Sequence, residues 1–180
     1  MKYMIISDIH GSELYLQKAL SIFDEQHFDF LILLGDILYH GPRNPLPNGH
    51  NPQGVVQLLN AHASKIIACR GNCDAEVDQM LLQFPCLGDY SLILDEGIRI
   101  FATHGHIYHP EQLPELAGKS IFLYGHTHLW ELRSQGDILI CNPGSVSLPK
   151  ENRPHTYAVY THQALSVYSL DGELLTSYTL

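Results

Sequence analysis

Apolar runs too short for helices alternate with amphipathic segments along the first third of the chain. Residues 2–6, 30–34 and 65–69 are such runs, and each predicts a buried strand. After Ser12, a typical helix N-cap, apolar residues recur with helical spacing. Residues 53–63 also have apolar residues at helical spacing. The apolar face of the first predicted helix consists of Leu14, Leu16, Leu20 and Phe23. The resulting β-α-β-α-β order is typical of a parallel sheet with right-handed crossovers.

The second half of the chain is dominated by strand patterns. These segments are residues 90–94, 98–103, 120–124, 130–134 and 138–141. Gln135-Gly136-Asp137 predicts one hairpin, and Asp171-Gly172 predicts another between the last two strands. Together these strands predict a second, mainly antiparallel sheet packed on the first. No linker, repeat or low-complexity segment interrupts the sequence, so residues 1–180 are expected to form a single domain.

A segment rich in Gly, Pro and Asn separates the second predicted strand from the second predicted helix. It runs from Tyr39 to Pro52 with the sequence YHGPRNPLPNGHNP. No helix or strand tolerates this density of residues that break regular structure. We expect a long ordered loop beside the functional site.

The chain is strongly acidic, which limits its partners. Ten Lys and Arg residues stand against nineteen Asp and Glu residues, giving a net charge of −9. Long nucleic acids and anionic membranes are bound by clustered Lys and Arg, so neither is expected as a partner. The N-terminal apolar run is too short for a signal peptide, no segment is long enough for a membrane span, and the four cysteines form no CxxC pair. A reduced, cytoplasmic location is therefore expected.

Polar residues typical of metal sites follow five of the predicted strands. They are Asp8 and His10, Gly35-Asp36, Gly71-Asn72-Cys73-Asp74, His104-Gly105-His106, and Gly125-His126-Thr127-His128. In parallel sheets, functional residues gather just beyond the carboxyl ends of the strands. Each motif arises often by chance, but a purely structural role does not explain five of them in this order. The twelve histidines of the chain fit the same interpretation, because histidine is the commonest metal ligand.

The types of these side chains predict a site for two divalent cations. Carboxylate and amide oxygens combined with imidazole nitrogens suit Mn, Fe, Zn, Co or Ni better than Ca or Mg. No thiolate belongs to the set, which argues against a structural zinc site. Two carboxylates would leave two divalent cations with a net charge of about +2, which attracts a phosphate despite the acidic surface. Cations about 3.5–4 Å apart can share a hydroxide for in-line attack on a phosphate ester.

The order D-x-H, G-D, G-N-x-D, G-H and G-H-x-H resembles that of the calcineurin-like metallophosphoesterase superfamily. Within it, the short length and the motifs HGPRN, GNCD, THGH, YGHTH and NPGS resemble the YfcE-type bacterial phosphodiesterases. The resemblance covers nearly the whole chain. It implies the fold of that family, an α/β two-sheet β-sandwich flanked by helices in four αββα layers.

The resemblance also implies a metal-ligand set and a reaction. Two groups of side chains, joined by Asp36, would hold the two ions. The first group is Asp8, His10, Asp36 and His128, and the second is Asp36, Asn72, His104 and His126. Manganese is the metal favoured, with Ni, Co, Fe and Zn as alternatives. The implied reaction is hydrolysis of a small phosphodiester by in-line attack of a hydroxide that bridges both ions.

One position departs from the superfamily pattern. Many members have His where this chain has Cys73, and that His stabilises or protonates the leaving group. A thiol is a poorer proton donor, so slower turnover and a preference for esters with good leaving groups are expected. A simple packing role for Cys73 is the alternative.

Three further polar residues have two interpretations each. Asp74 could orient a ligand or substrate contact, or it could be the N-cap of the next helix. Arg43 and His40, in the Pro-rich loop, could contact a phosphate oxygen of the substrate, or could be solvated surface residues. Residues 142–145 are expected to form a turn that supports the ligands through backbone hydrogen bonds.

Alternatives to a phosphodiesterase stay open at this point. A phosphomonoesterase or a nucleotide pyrophosphohydrolase would use the same chemistry. A protein-interaction scaffold with weak catalysis is a further alternative, because a retromer subunit shares the superfamily fold, but the complete ligand set favours an enzyme. The resemblance is also compatible with a symmetric homo-oligomer. Aromatic residues that could form its contact, or equally pack in the core, are Tyr157, Tyr160, Tyr168 and Tyr178.

Overall fold

The computed structural model describes residues 1–116 and 118–180, and its strands form two sheets. The strands are β1 (Tyr3–Ile6), β2 (Phe30–Leu33), β3 (Ile66–Ala68), β4 (Tyr90–Asp95), β5 (Ile98–Thr103), β6 (Ser120–Leu123), β7 (Glu131–Gln135), β8 (Ile138–Asn142), β9 (Thr156–Tyr160), β10 (Ala164–Ser169) and β11 (Leu174–Thr179). The helices are α1 (Glu13–Glu25), α2 (Pro52–Ala61) and α3 (Glu76–Leu81), with a 3-10 turn at Ala63–Lys65. No helix within the described residues is long and apolar enough to cross a membrane.

The first sheet has the order β11-β10-β9-β1-β2-β3. Its β1, β2 and β3 are parallel, which confirms the β-α-β-α-β prediction. β9, β10 and β11 extend the same sheet in antiparallel order, and the hairpin at Asp171-Gly172 joins the last two. The prediction that placed the C-terminal strands in the second sheet is therefore wrong.

The second sheet has the order β4-β5-β6-β8-β7 and is mixed. Its three central strands, β5, β6 and β8, are parallel, and only the edge strands β4 and β7 pair in antiparallel fashion. The prediction of a mainly antiparallel sheet is therefore wrong. Two long connections account for the difference, one from β5 to β6 and one from β6 through β7 to β8, because a connection of about a dozen residues or more allows a parallel crossover.

Three apolar layers hold the sandwich together. One lies between the first sheet and the helices α1 and α2, and a second lies between the two sheets. A smaller third cluster covers the outer face of the second sheet, where Tyr108, Leu113 and Leu116 from the loop of residues 104–119 pack on the strands. The two-sheet sandwich with flanking helices is confirmed, and the carboxyl ends of β1, β2 and β3 lie together at one edge.

The burial of individual side chains corrects two predictions made from the sequence. Leu16 and Phe23 of α1 are buried, whereas Leu14 is 42% exposed and does not belong to the apolar face predicted for it. Tyr157 and Tyr160 are buried in the core, so they cannot form the oligomer contact considered for them.

The loop of residues 39–52 contains no helix or strand before α2, as predicted. Backbone hydrogen bonds tie its end to the start of α1. Asn51 N–H donates to the Gly11 carbonyl at 2.8 Å, and Glu13 N–H donates to the Gly49 carbonyl at 2.9 Å. The loop is therefore ordered and lies against the segment that follows β1.

Candidate metal centre

Several candidate ligands lie on strained backbone immediately after strands. Asp8, His10, Asp36, His126 and His128 all have φ between 50° and 68°, in the left-handed region. Residues other than glycine rarely adopt this conformation. Each case costs about 1–3 kcal/mol and persists only where the surrounding structure imposes it. Strain of this kind concentrates at functional sites, and here it turns the side chains toward a common point.

The first group of donor atoms lies around Asp8. Asp8 Oδ1 is 3.3 Å from His128 Nε2 and 3.7 Å from His10 Nε2. The two imidazole nitrogens are 3.2 Å apart. All three side chains are buried, so their donor atoms face one another without bulk water between them.

The second group lies around His104. His104 Nε2 is 3.5 Å from Asp36 Oδ2, 3.1 Å from Asn72 Oδ1 and 3.2 Å from His126 Nδ1. Asp36 Oδ2 is also 3.7 Å from His10 Nε2, so Asp36 joins the two groups. The structure thus brings together all seven side chains that the sequence singled out as ligands.

Hydrogen bonds to backbone carbonyls fix which nitrogen of three rings carries the proton. Nδ1 of His10, His104 and His128 each lies 2.6–2.8 Å from a carbonyl oxygen. A carbonyl can only accept, so Nδ1–H is the donor. Nε2 is then the nitrogen that faces the cluster and offers a lone pair to a cation once the ring is neutral. The accepting carbonyls belong to Tyr39, Leu34 and Leu148. This pattern is typical of histidines that ligate metals.

The electrostatics of the cluster fit bound cations. Burial disfavours the charged imidazole of His104, but Asp36 and Asp8 outweigh burial and raise its pKa to about 9. Burial also disfavours the charged carboxylates, yet neighbouring histidines lower the pKa of both Asp8 and Asp36. Asp8 Oδ1 is buried without a hydrogen-bond partner among the described residues. A divalent cation would satisfy this oxygen and would take the place of the proton on His104 Nε2.

Asp74 holds the loop that carries Asp36. Its Oδ2 accepts from the N–H groups of Asp36 at 2.8 Å and Gly71 at 2.7 Å, and its Oδ1 accepts from Ile37 N–H at 2.8 Å. The N-cap interpretation is wrong, because Ala75 precedes α3 and the Asp74 carboxylate is turned toward these loops. Burial, opposed in part by the N–H donors, raises the pKa of Asp74 to about 6.

Replacing Asp74 with Ala is expected to lower the free energy of unfolding by about 3 kcal/mol, because buried N–H groups lose their acceptor. Urea denaturation measures this change. Glu76→Ala, which removes an exposed acid two residues further along, is the control and should change stability by less than about 0.5 kcal/mol. Equal effects of the two substitutions would show that the Asp74 contacts do not stabilise the fold.

Serine and asparagine side chains at the end of β8 and just after it support the other side of the cluster. Oγ of Ser145 and Oγ of Ser147 each donate to the carbonyl of Asp8 at 2.9 Å. Asn142 Nδ2 donates to the Gly125 carbonyl at 2.8 Å, next to His126. The support predicted for residues 142–145 is present, but it uses side chains rather than backbone groups. Ser147 was missed, because no local pattern distinguishes it from other serines.

The cluster opens onto a cleft of about 940 Å³. Its walls are residues 39, 41–44, 72–75 and 126–129, with Asp36 and Lys150. Arg43 lines the cleft, and its contact with substrate stays a prediction. His40 is not among the lining residues, and its ring packs against those of Tyr39 and His50 instead, so the predicted substrate contact is not supported for it. A second cavity, of about 590 Å³, contains none of the candidate ligands.

Cys73 borders both the cleft and the cluster. Its N–H donates to Asp36 Oδ1 at 2.8 Å, and its Sγ accepts from Asn72 Nδ2 at 3.3 Å. Burial, together with the negative charge of Asp36, raises the pKa of the Cys73 thiol to about 12. The thiol is therefore protonated at neutral pH and is a weak acid.

Comparisons with known sequences agree with this geometry. The model of the calcineurin-like phosphoesterase superfamily domain matches residues 1–164. Phosphodiesterase YfcE of Escherichia coli (strain K12) is 47% identical over 173 residues, which cover 96% of this chain and 94% of that protein. Phosphodiesterase MJ0936 of Methanocaldococcus jannaschii is 30% identical over 154 residues, covering 80% of this chain and 83% of that protein.

Solved structures show the same architecture. The structure of the phosphoesterase Yfce from E. coli matches with a TM-score of 0.97 at 46% identity and covers 99% of both chains. Vps29 of Chaetomium thermophilum matches with a TM-score of 0.68 at 15% identity over 99% of this chain and 97% of that one, a likeness of fold alone. The family match and the identity to these relatives show that the chain belongs to the calcineurin-like phosphoesterase superfamily and is a hydrolase of the metallophosphoesterase class.

Proposed function

We propose that the chain hydrolyses a small phosphodiester with two divalent cations bound between its sheets. The observation that carries this proposal is the convergence of seven donor side chains into two groups that share Asp36. Their members are Asp8, His10, Asp36, Asn72, His104, His126 and His128. The name of the E. coli relative, a phosphodiesterase, supports a diester rather than a monoester as substrate.

The reaction adds water across one P–O bond of the diester. When bound, divalent cations supply a nucleophilic water at neutral pH and offset the charge of the phosphate oxygens. Water attacks phosphorus in line, the opposite P–O bond breaks, and the leaving oxygen takes a proton. Asp36 and the other candidate ligands would hold the cations from the ends of rigid strands. Arg43 lines the open side of the cleft, where its guanidinium faces the part of the substrate beyond the cations.

Manganese is the proposed metal, because carboxylate and amide oxygens suit it and the proposed ligands include no thiolate, the donor that favours softer metals. A cytoplasmic location is proposed alongside it. The four cysteines support this location, because all are free thiols in the structure.

Hydrolysis of p-nitrophenyl phosphomonoesters and diesters tests the function. The protein is first treated with a chelator and then supplied with Mn, Ni, Co, Zn or Mg. We expect no turnover after chelation, recovery with Mn, and a higher kcat/KM for bis(p-nitrophenyl) phosphate than for the monoester. Turnover that persists unchanged in chelator would contradict a metal-dependent reaction, and a preference for the monoester would favour a phosphomonoesterase.

Replacing Cys73 with His is expected to raise kcat/KM for diesters with poor leaving groups, such as alkyl esters. An imidazolium donates a proton far more readily than a thiol with a raised pKa, and proton transfer by a positioned side chain contributes about 10²–10⁴-fold. The gain should be much smaller for p-nitrophenyl esters, whose leaving group needs no proton. Cys73→Ser is the control, because serine is similar in size to cysteine, and it should not raise kcat/KM. No gain from the His substitution would indicate that Cys73 is a packing residue.

A further inference from the structure

Two cationic side chains line the cleft in front of the candidate metal centre. They are Arg43 and Lys150, and neither has an ion-pair partner among residues 1–116 and 118–180. Arg153, by contrast, is paired with Glu151 at 3.5 Å. In a chain with a net charge of −9, free cations at one cleft create a local field that attracts anions.

A tight turn, residues 41–44, carries Arg43 to the cleft. Asn44 N–H donates to the Gly41 carbonyl at 3.4 Å, and the Asn44 side chain donates to the carbonyl just before the turn at 2.9 Å. The turn packs directly on Cys73, because a β-carbon at Gly41 would lie 3.0 Å from Cys73 Sγ. The backbone of Arg43 is thereby fixed beside the wall of the cleft that includes the candidate centre.

Lys150 is attached to the candidate centre through His128. Lys150 N–H donates to the His128 carbonyl at 3.4 Å, and His128 Nδ1–H donates to the Leu148 carbonyl at 2.6 Å. The next two residues, Glu151 and Asn152, have φ of 56° and 54°. Such strained turns persist only where the surrounding structure imposes them. The position of Lys150 is therefore set by the same contacts that orient a candidate ligand.

A simple phosphodiester does not need these two cations. It carries a single negative charge, and two divalent cations against the carboxylates of Asp8 and Asp36 already give a net charge of about +2. Arg43 and Lys150 add further positive charge on the open side of the cleft. The volume of about 940 Å³ also exceeds what the ester group alone requires, and is suited to a ligand of nucleotide size.

We propose that the substrate is a phosphodiester with a second anionic group, a phosphate or a carboxylate, which Arg43 and Lys150 bind. This proposal rests on the phosphodiesterase function proposed above and adds a residue-level basis for its specificity. The planar guanidinium of Arg43 can bind two oxygens of such a group at once, and Lys150 contributes a mobile point charge.

Two pairs of p-nitrophenyl esters test the proposal with Mn-loaded protein. The first is thymidine 5′-(p-nitrophenyl phosphate) with and without a 3′-phosphate, and the second is 2-carboxyethyl and ethyl p-nitrophenyl phosphate. We expect the member with the extra anion to have a kcat/KM about tenfold higher in at least one pair, mainly through a lower KM. The pair that responds distinguishes phosphate from carboxylate.

Binding gives a readout that does not depend on turnover. Calorimetry of the Mn-loaded protein is expected to show thymidine 3′,5′-bisphosphate binding about tenfold more tightly than thymidine 5′-monophosphate. Arg43→Ala and Lys150→Ala should each reduce both preferences to about threefold, and the double variant should abolish them. Lys119→Ala is the matched control, because Lys119 is exposed at the other cavity, before β6, and should leave the preferences unchanged.

The outcomes separate this proposal from the function on which it rests. Equal kcat/KM within both pairs, together with equal binding of the two nucleotides, overturns the second anionic group while metal-dependent diester cleavage still stands. A preference that survives in the double variant overturns the assignment to Arg43 and Lys150. If no diester is cleaved with any metal, the phosphodiesterase function fails, and the calorimetric comparison still decides whether the cleft prefers the doubly anionic ligand.

Discussion

Replacing Asp36 with Ala should lower kcat/KM for bis(p-nitrophenyl) phosphate by at least about 10³-fold and should reduce the bound manganese below two ions per chain. Asp36 is the side chain that joins the two donor groups, since its Oδ2 lies 3.5 Å from His104 Nε2 and 3.7 Å from His10 Nε2. Its loss removes a negative charge from both groups at once. Steady-state kinetics and elemental analysis of the metal-loaded protein measure the two effects.

Asp24→Ala provides the control for this substitution. Asp24 is an acid of the same type on α1, with a side chain that is 61% exposed, and its removal should leave both activity and metal content unchanged. An Asp36→Ala variant that keeps two manganese ions and wild-type activity would contradict the role given to Asp36.

Replacing Gly71 with Ala should have an effect nearly as large, although it adds only a methyl group. A β-carbon at Gly71 would lie 2.1 Å from Asp36 Oδ1 and 2.3 Å from Asp36 N, distances that no real contact allows. The conflict can be relieved only by moving Asp36 or the loop that carries it. We expect a loss of activity of about 100-fold or more, since displacements near 1 Å cost that much, and a stability loss of about 1–3 kcal/mol from overpacking.

Gly88→Ala is the matched control for Gly71→Ala. Neither glycine has a positive φ, so both substitutions are compatible with the backbone, but the nearest atom to a β-carbon at Gly88 is the Tyr90 carbonyl oxygen at 3.4 Å. Kinetics and thermal unfolding should therefore separate the two variants. If both behave alike, the close approach of Gly71 to Asp36 is not what restricts this position.

The sequence predicted the three parallel strands of the first sheet and the convergence of the seven candidate ligands because both follow from local order along the chain. Each motif directly follows an apolar run, and parallel strands bring their carboxyl ends to one edge of a sheet. The left-handed backbone of Asp8 and Asp36, by contrast, is only weakly encoded by residue type. Asp adopts it more often than most residues, but contacts between distant loops impose it.

Properties that depend on distant contacts could not be predicted from the sequence. The direction of β6 and β8 relative to β5 depends on how a long connection crosses the sheet, and the strand pattern does not encode it. Tyr157 fits both a core and a surface interpretation until its partner layer is known. The carboxylate of Asp74 could cap a helix or bind loop N–H groups, and only the fold distinguishes these partners.

Anomalous X-ray diffraction at the manganese absorption edge, from crystals of the Mn-loaded protein, tests the central claim most directly. Two peaks about 3.5–4 Å apart are expected, one near Asp8 and His128, the other near Asn72 and His104, with Asp36 between them. No peak within the cluster, or peaks only at other sites on the surface, would contradict the proposal that these side chains hold a pair of cations.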